Sequence, residues 1–376
     1  MQTISSEHIP IIRPTLPELS RILEILQDSY QSGSVTLGRV VRLLEEEAAR
    51  FTETKYAVAL SSCTSGLILA FASMGLAAGA EVVVPSFTFA ATVQAILWNR
   101  LTPVYVDCLP GKMTIDPRQV VKAVGSRTAA IYPVSIFGLP PDMDELKEIS
   151  VSQGIPLIFD SAQGFGSTYK GRPAGGFGLC EVFSLSPTKV VTAIEGGLVT
   201  TDSEEMANNL RSMRDYGKGP DGEEMVFNGL SARMSEFHAS VGLLSLRNAQ
   251  TLIQARLKLI QKYRVRTRDF RGCQVQELPE DRTTSGNYFT LLIGPGAKMG
   301  RQGVHEALRD HGIESKRYFY PPVHAHSAFR NHPHRVVGDL RHTWSASKAS
   351  LALPLYSHMT DAQQDRVCDV LESCLG

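Results

Sequence analysis

The chain has no excess of charge of either sign: 38 basic side chains meet 38 acidic ones over 376 residues. Nucleic-acid binders normally carry a basic footprint, so this balance argues against that class. No apolar stretch approaches bilayer length, and no membrane span is expected. Between Met1 and Pro10 the N-terminus holds Glu7 and His8, without a basic flank leading into an apolar run, so it does not read as a secretion signal. Cysteine is scarce. Cys63, Cys108, Cys180, Cys273, Cys368 and Cys374 are scattered, with no C-x-x-C pair, which excludes zinc-finger and thioredoxin-type motifs. Such cysteines read as buried thiols in a reducing compartment, and the expected location is the cytoplasm. Internal repeats, low-complexity tracts and long charge runs are also missing.

Apolar material is plentiful. At 43% hydrophobic, the chain can bury a large core, and its length suggests two or three domain-sized units. Leu37, Val40, Val41, Leu44, Ala48 and Phe51 recur at helical spacing, with charged residues between them. Strands are expected at Tyr56–Leu60, Glu81–Pro85, Val104–Asp107, Ala129–Val134, Pro156–Asp160 and Val182–Leu185. Most are continuous apolar runs, as in a mostly parallel sheet covered on both faces. A long helical stretch from about Met234 to Arg264 follows. Beyond Val265 come a strand at Tyr288–Ile293, a helix near Gly303–His311, a Pro/His/aromatic segment from Tyr318 to Pro333, and a helix near Asp361–Leu371. The expected division is a large α/β domain over residues 1–245, including an N-terminal arm, and a smaller α+β domain over residues 246–376.

In open α/β sheets, ligands bind beyond the carboxyl ends of the strands. Four polar groups fall there. Ser61-Ser62-Cys63-Thr64-Ser65-Gly66 follows a strand and precedes an apolar helix beginning near Leu67. That arrangement suits phosphate, because amides and the helix dipole face an anion, although taken alone it is better read as N-capping by Thr64 or Ser65. Asp160 ends an apolar strand and could cap a turn or pair with a heterocyclic nitrogen. Lys189 follows Ser184-Leu185-Ser186-Pro187-Thr188; a lysine can form imines, and most loop lysines are merely solvated. Phe87 and Phe89 in Pro85-Ser86-Phe87-Thr88-Phe89 could stack on a flat ring or fill the core. A phosphate cradle, a stacking ring, a carboxylate and a lysine, in this order, are what a phosphorylated heteroaromatic aldehyde requires. His324, His326, His332 and His334 crowd one segment, but their spacing fits no compact zinc motif, and no metal is expected.

From Pro10 to Leu371 these motifs resemble the DegT/DnrJ/EryC1/StrS family, sugar aminotransferases of pyridoxal 5′-phosphate (PLP) fold type I. Ser184-Leu185-Ser186-Pro187-Thr188-Lys189 is similar to the family's Ser-Phe-x-x-Thr-Lys, Asp160-Ser161-Ala162-Gln163 to Asp-x-Ala-Gln/His, and Ser62-Cys63-Thr64-Ser65 to Ser-Gly-Thr-x. The resemblance implies an α/β fold: a large mixed, mostly parallel sheet sandwiched by helices, with a smaller C-terminal α+β domain. It implies a Schiff base on Lys189, Asp160 on the pyridine nitrogen, Gln163 near the ring hydroxyl and Phe89 stacked on the ring. Thr64, Ser65 and Ser184 would hold the phosphate. Tyr320 and His324, in Tyr320-Pro321-Pro322-Val323-His324, would face substrate. Three positions depart from the family pattern: Cys63 replaces a glycine, Ser135 a histidine, and Ser231 an asparagine that reaches the phosphate from a neighbouring subunit, with Asn228 close by.

The implied activity moves an amino group from an amino acid, glutamate first, to a nucleotide-linked keto sugar. A homodimer with shared active sites is expected. The alternatives are a dehydratase or deoxygenase of the same fold, against which Lys189 argues, and a non-catalytic PLP-binding regulator.

Overall fold

The computed structural model describes residues 8–376; the part of the N-terminal reading that concerns Met1 to Glu7 lies outside the described residues. The strands of the main sheet are β1 (Tyr56–Leu60), β2 (Glu81–Pro85), β3 (Thr102–Val106), β4 (Thr128–Ile131) and β5 (Ile158–Asp160). After the short strands β6 (Thr168–Tyr169) and β7 (Arg172–Pro173) come β8 (Cys180–Ser184) and β9 (Gly197–Thr201). Hydrogen bonding orders them β1-β9-β8-β5 and β4-β2-β3. Parallel bridges from Ile131 to Leu157 and from Val134 to Asp160 join the halves. Only β9 runs against its neighbours β1 and β8; the other pairs are parallel. The sheet is therefore mixed and mostly parallel.

Continuous apolar strands arise because both faces are covered. Val58, Val82, Tyr105, Ile158, Val182 and Val199 face a core shared with α3 (Cys63–Ala72), α4 (Ala90–Trp98) and α7 (Glu204–Met213). Their chain neighbours Ala57, Phe183 and Leu198 face α2 (Arg39–Phe51) and α8 (Glu236–Arg247). Val83, Val104 and Phe159 face α5 (Pro117–Ala123) and α6 (Met143–Gln153). Each fully buried branched or aromatic side chain is worth roughly 1.5–3 kcal/mol.

Helix α1 (Leu19–Ser32) joins α2 and α8 through one buried carboxylate. Glu236 accepts from the amides of Gly38, Val40 and Val41 at 2.9–3.0 Å and from the Ser29 hydroxyl at 2.7 Å. A Cβ on Gly38 would stand 2.8 Å from that carboxylate, so only glycine fits there.

The stretch expected as one helix from Met234 to Arg264 is two. Asn248, at φ −100° and ψ 6°, separates α8 from α9 (Ala249–Thr267). Asparagine competes locally for backbone hydrogen bonds and tolerates such turns. The break frees α9 to pack its Leu259, Ile260 and Tyr263 into a second core. That core lies on an antiparallel sheet of β10 (Cys273–Val275), β12 (Phe289–Ile293) and β14 (Ser350–Leu353). Helices α10 (Arg301–Asp310) and α12 (Asp361–Leu375) cover it, and Ile9 joins them. Strand β11 (Arg282–Thr283) pairs with β6, and β13 (Arg335–Val336) with β3. Helix α11 (Arg341–Ala349) precedes β14. No helix among the described residues is long and apolar enough to cross a membrane.

Candidate active site

A cavity of about 300 Å³ opens where the carboxyl ends of β5 and β8 meet the first turns of α3 and α4. Six residues singled out in the sequence line it: Thr64, Phe89, Asp160, Gln163, Ser184 and Lys189. They come from four separate segments, so only the sheet brings them together.

Helix α3 starts at Cys63, four residues before the expected Leu67. Ser62 is its N-cap; its hydroxyl accepts from the Ser65 amide, and the Ser65 hydroxyl accepts from the Ser62 amide. The reciprocal capping box consumes Ser65, which does not line the cavity. Ser62 and Thr64 do, and the helix leaves the amides of its first turn for an anion. Cys63 is the first helical residue and does not adopt a positive φ, so the glycine expected there is not needed for backbone freedom. The close approach falls elsewhere: a Cβ on Gly197 would stand 2.5 Å from the Ser62 carbonyl oxygen. Burial pushes the Cys63 thiol well above its ordinary pKa, helped by the Asp160 charge, so it is no thiolate nucleophile.

Asp160 is the last residue of β5 and is 4% exposed. It accepts from the Thr92 hydroxyl at 2.7 Å and from the Ala162 amide at 3.1 Å. Burial raises its pKa, and these two donors and the Lys189 charge oppose that rise. Among the described residues Asp160 has no salt-bridge partner. A buried carboxylate that faces a cavity with no salt-bridge partner against it fits a protonated ring nitrogen. Lys189 lies five residues beyond β8, its Nζ 5.7 Å from the centre of the Tyr288 ring. Phe89 is 56% exposed at the start of α4, which leaves a ring face free to stack. Gln163 accepts the Phe137 amide at 2.6 Å through Oε1, which turns its amide NH2 to other partners. A stacking ring, a buried acid, a lysine and a hydroxyl-rich helix start fit PLP.

Ser135, Ser186 and Thr188, which the sequence motifs named without a role, and Tyr288, Tyr318 and Phe319, which no motif pointed to, also line the cavity. Ser135 follows β4 within the Pro133–Gly138 segment, so strand-end position was its signal. Tyr288 and Tyr318 pack with Phe87, Phe137 and Phe319 and carry no local motif. Burial raises the Tyr318 pKa, and the adjoining Tyr288 adds to it.

A second cavity, about 310 Å³, shares Thr88, Phe89, Tyr318 and Phe319 with the first. Lys316, Arg317, Tyr320 and His326 line its outer part, and no carboxylate does. The Arg301 guanidinium lies 5.0 Å from the centre of the Tyr320 ring. Tyr320 thus stands at this mouth, whereas His324 lines neither cavity. Its Nδ1 is 2.5 Å from the Ser86 hydroxyl, and its ring packs against Tyr105 and Trp344. Burial lowers its pKa, as does nearby His334. Asn228 and Ser231 are exposed and lie outside both cavities of this chain. No group of three or more His, Cys, Asp or Glu gathers as metal ligands among the described residues.

The sequence profile of the DegT/DnrJ/EryC1/StrS aminotransferase family matches residues 18–372. GDP-perosamine synthase of Caulobacter vibrioides is 30% identical over 366 residues, covering 95% of each chain. The crystal structure of DesI in the presence of its TDP-sugar product superposes with a TM-score of 0.91 at 34% identity, covering 98% of this chain and 93% of the other. An Escherichia coli GDP-4-keto-6-deoxy-D-mannose-3-dehydratase with bound hydrated PLP shares the fold, with a TM-score of 0.89 at 23% identity over 96% of this chain and 99% of the other.

Proposed function

This chain belongs to the DegT/DnrJ/EryC1/StrS aminotransferase family, and from that premise we propose that it moves an amino group from an amino acid, glutamate first, to a keto sugar carried on a nucleoside diphosphate. It is a PLP-dependent enzyme. The observation that carries the reading is the convergence of Lys189, Asp160, Phe89, Thr64 and Ser184 on one cavity.

Bound PLP supplies the aldehyde that takes up the amino group and a ring that spreads the electron pair left when a carbon–hydrogen bond breaks. Lys189 Nζ holds the cofactor at rest and, once displaced by the donor, carries the proton between carbon atoms as base and then acid. Asp160 keeps the ring nitrogen protonated. Thr92 and the Ala162 amide keep that carboxylate ionised and aimed. Phe89 holds the ring flat, and Thr64, Ser62 and Ser184 hold the phosphate with the amides of the first turn of α3.

The nucleotide half of the substrate is supported by the second cavity. Lys316 and Arg317 place positive charge beside an aromatic face at Tyr320, with no acid between them, which suits a diphosphate and a base. The GDP- and TDP-linked names of the relatives agree with that class. Tyr320 replaces His324 as the substrate contact. A homodimer is supported by exposed apolar side chains on α1, α8 and the segment 216–230, among them Tyr30, Phe237, Tyr216 and Leu230; Asn228 and Ser231 stand beside that surface.

The test has two stages. Glutamate added to the holoenzyme should bleach its visible cofactor absorbance; an unchanged spectrum would favour a non-catalytic binder. A panel of GDP-, UDP- and dTDP-linked keto sugars should then restore the band with a product of amino-sugar mass. A sugar product that has lost water and gained no nitrogen would overturn the aminotransferase assignment in favour of dehydration.

A further inference from the structure

The reading above leaves one fully buried acid without a task. Glu181, on β8, is 0% exposed and has no basic partner among the described residues. Its Oε1 accepts from the Phe177 amide at 3.1 Å, the Gly175 amide adds a second donor, and Oε2 accepts from the Ser161 hydroxyl at 2.9 Å. Ser161 is itself 0% exposed, and its oxygen lies 3.1 Å from that of Ser135. Ser135 lines the cofactor cavity. A chain of three buried polar side chains therefore runs from an acid inside the sheet domain to the cavity wall.

We propose that Glu181 is a positioning residue for the aminotransfer reaction: through Ser161 it turns the Ser135 hydroxyl so that a lone pair, rather than the hydrogen, faces the cofactor. The inference rests on the reading of this cavity as the PLP site.

Hydrogen counting carries it. Each hydroxyl owns one hydrogen, and an ionised carboxylate owns none. Every neighbour that touches the Glu181 carboxylate is a donor, so the Ser161 hydrogen goes to Glu181. The hydrogen in the Ser161–Ser135 contact must then be that of Ser135. Its remaining lone pairs point into the cavity, beside Gln163, whose Oε1 is already occupied by the Phe137 amide. That stretch of wall presents a hydroxyl acceptor next to amide donors. A buried chain of this kind stays aligned because any reversed member leaves a buried group unpaired. An acceptor there stabilises the protonated form of whatever cofactor group stands against it. Burial raises the Glu181 pKa and its donors oppose that rise; the two amides keep their role only while the side chain remains an acceptor.

Glu181→Gln reverses the chain. The amide NH2 donates to Ser161, Ser161 donates to Ser135, and Ser135 offers its hydrogen to the cavity. In the holoenzyme, the pH midpoint of the visible cofactor band should fall by about 0.5–1 unit. Ser161→Ala, which cuts the chain and leaves both ends, should also move the midpoint. In a Ser135→Ala background Glu181→Gln should have no further effect, because the path is gone. Melting temperatures are measured alongside; if the Gln variant does not fold, Ser161→Ala alone and with Ser135→Ala gives the same comparison. An unshifted midpoint, or an equal shift in the Ser135→Ala background, overturns the proposal. A parent enzyme with no Lys189-dependent visible band would instead sink the PLP reading, so the two failures are separable.

Discussion

At the floor of the cavity Asp160 ends β5, Ser184 ends β8, and Thr64 sits in the first turn of α3. At the mouth Lys316, Arg317 and Tyr320 stand on the segment between α10 and α11; an antiparallel bridge ties Lys316 to Ala352 of β14, and Arg317 and Tyr320 lie beyond it in no helix or strand. The floor is held by the parallel sheet: Asp160 and Ser184 each leave a strand end whose chain neighbours are fully buried. Beyond that bridge the segment is held by side chains packing on side chains, as at His324 between Ser86, Tyr105 and Trp344. Chemistry common to many substrates can be fixed by backbone geometry. Recognition of one substrate is carried by segments that vary freely without disturbing the sheet.

The floor should be intolerant and the mouth graded. Lys189→Ala should remove the visible cofactor band and cut turnover by at least about 10³-fold, the scale of a lost acid–base group; a variant that still turned over normally would break the distinction at its strongest point. Asp160→Asn should bind cofactor yet lower kcat about 10–100-fold, since one buried charge-assisted hydrogen bond is lost. At the mouth, Arg317→Gln should raise KM for the nucleotide sugar about 5–10-fold and leave the glutamate half-reaction unchanged, as expected for one exposed charge against phosphate. Equal losses in both half-reactions would place Arg317 in the floor's chemistry instead.

Smaller effects separate binding from scaffold within each region. Thr64→Ala should weaken cofactor retention with little change in melting temperature. Ser65→Ala should do the reverse, costing about 1 kcal/mol of stability through the lost capping box. His324→Gln should leave KM nearly unchanged and alter the acid limb of stability. The folded-state pKa of His324 lies below its ordinary value, so the unfolded chain binds the proton more tightly. The parent therefore loses stability as pH falls through about 6.5 towards the lowered value, and the variant should lose less. A melting curve without that difference would remove His324 from the scaffold.

Much of the floor could be read in advance, because strand-end positions follow from local pattern. Apolar runs marked β1, β2, β5 and β8, and each was followed by a residue with usable chemistry. The misplacements have local causes too. Ser65 competes with Ser62 in a four-residue window, and pattern alone does not say which hydroxyl caps and which faces the ligand. The break at Asn248 interrupts apolar residues on both sides and so leaves no gap in the periodicity. The mouth was less legible. Tyr320 and His324 sit in one five-residue motif, yet one faces the second cavity and the other turns inward to Ser86. Tyr288 and Tyr318 reach the first cavity from far along the chain, packed on Phe87, Phe137 and Phe319, and contacts so distant leave no trace in spacing.

Sequence alone determined the layered α/β architecture and most of the strand-end side chains that line the first cavity. Burial periodicity and strand-end chemistry are local, and they depend on residues a few positions apart. Tertiary structure decided which hydroxyl caps and which lines the cavity, which of Tyr320 and His324 stands at the mouth, and how Glu181 reaches the cavity through Ser161 and Ser135. Those outcomes turn on where single lone pairs and hydrogens point, and that direction is set by contacts between segments far apart in the chain.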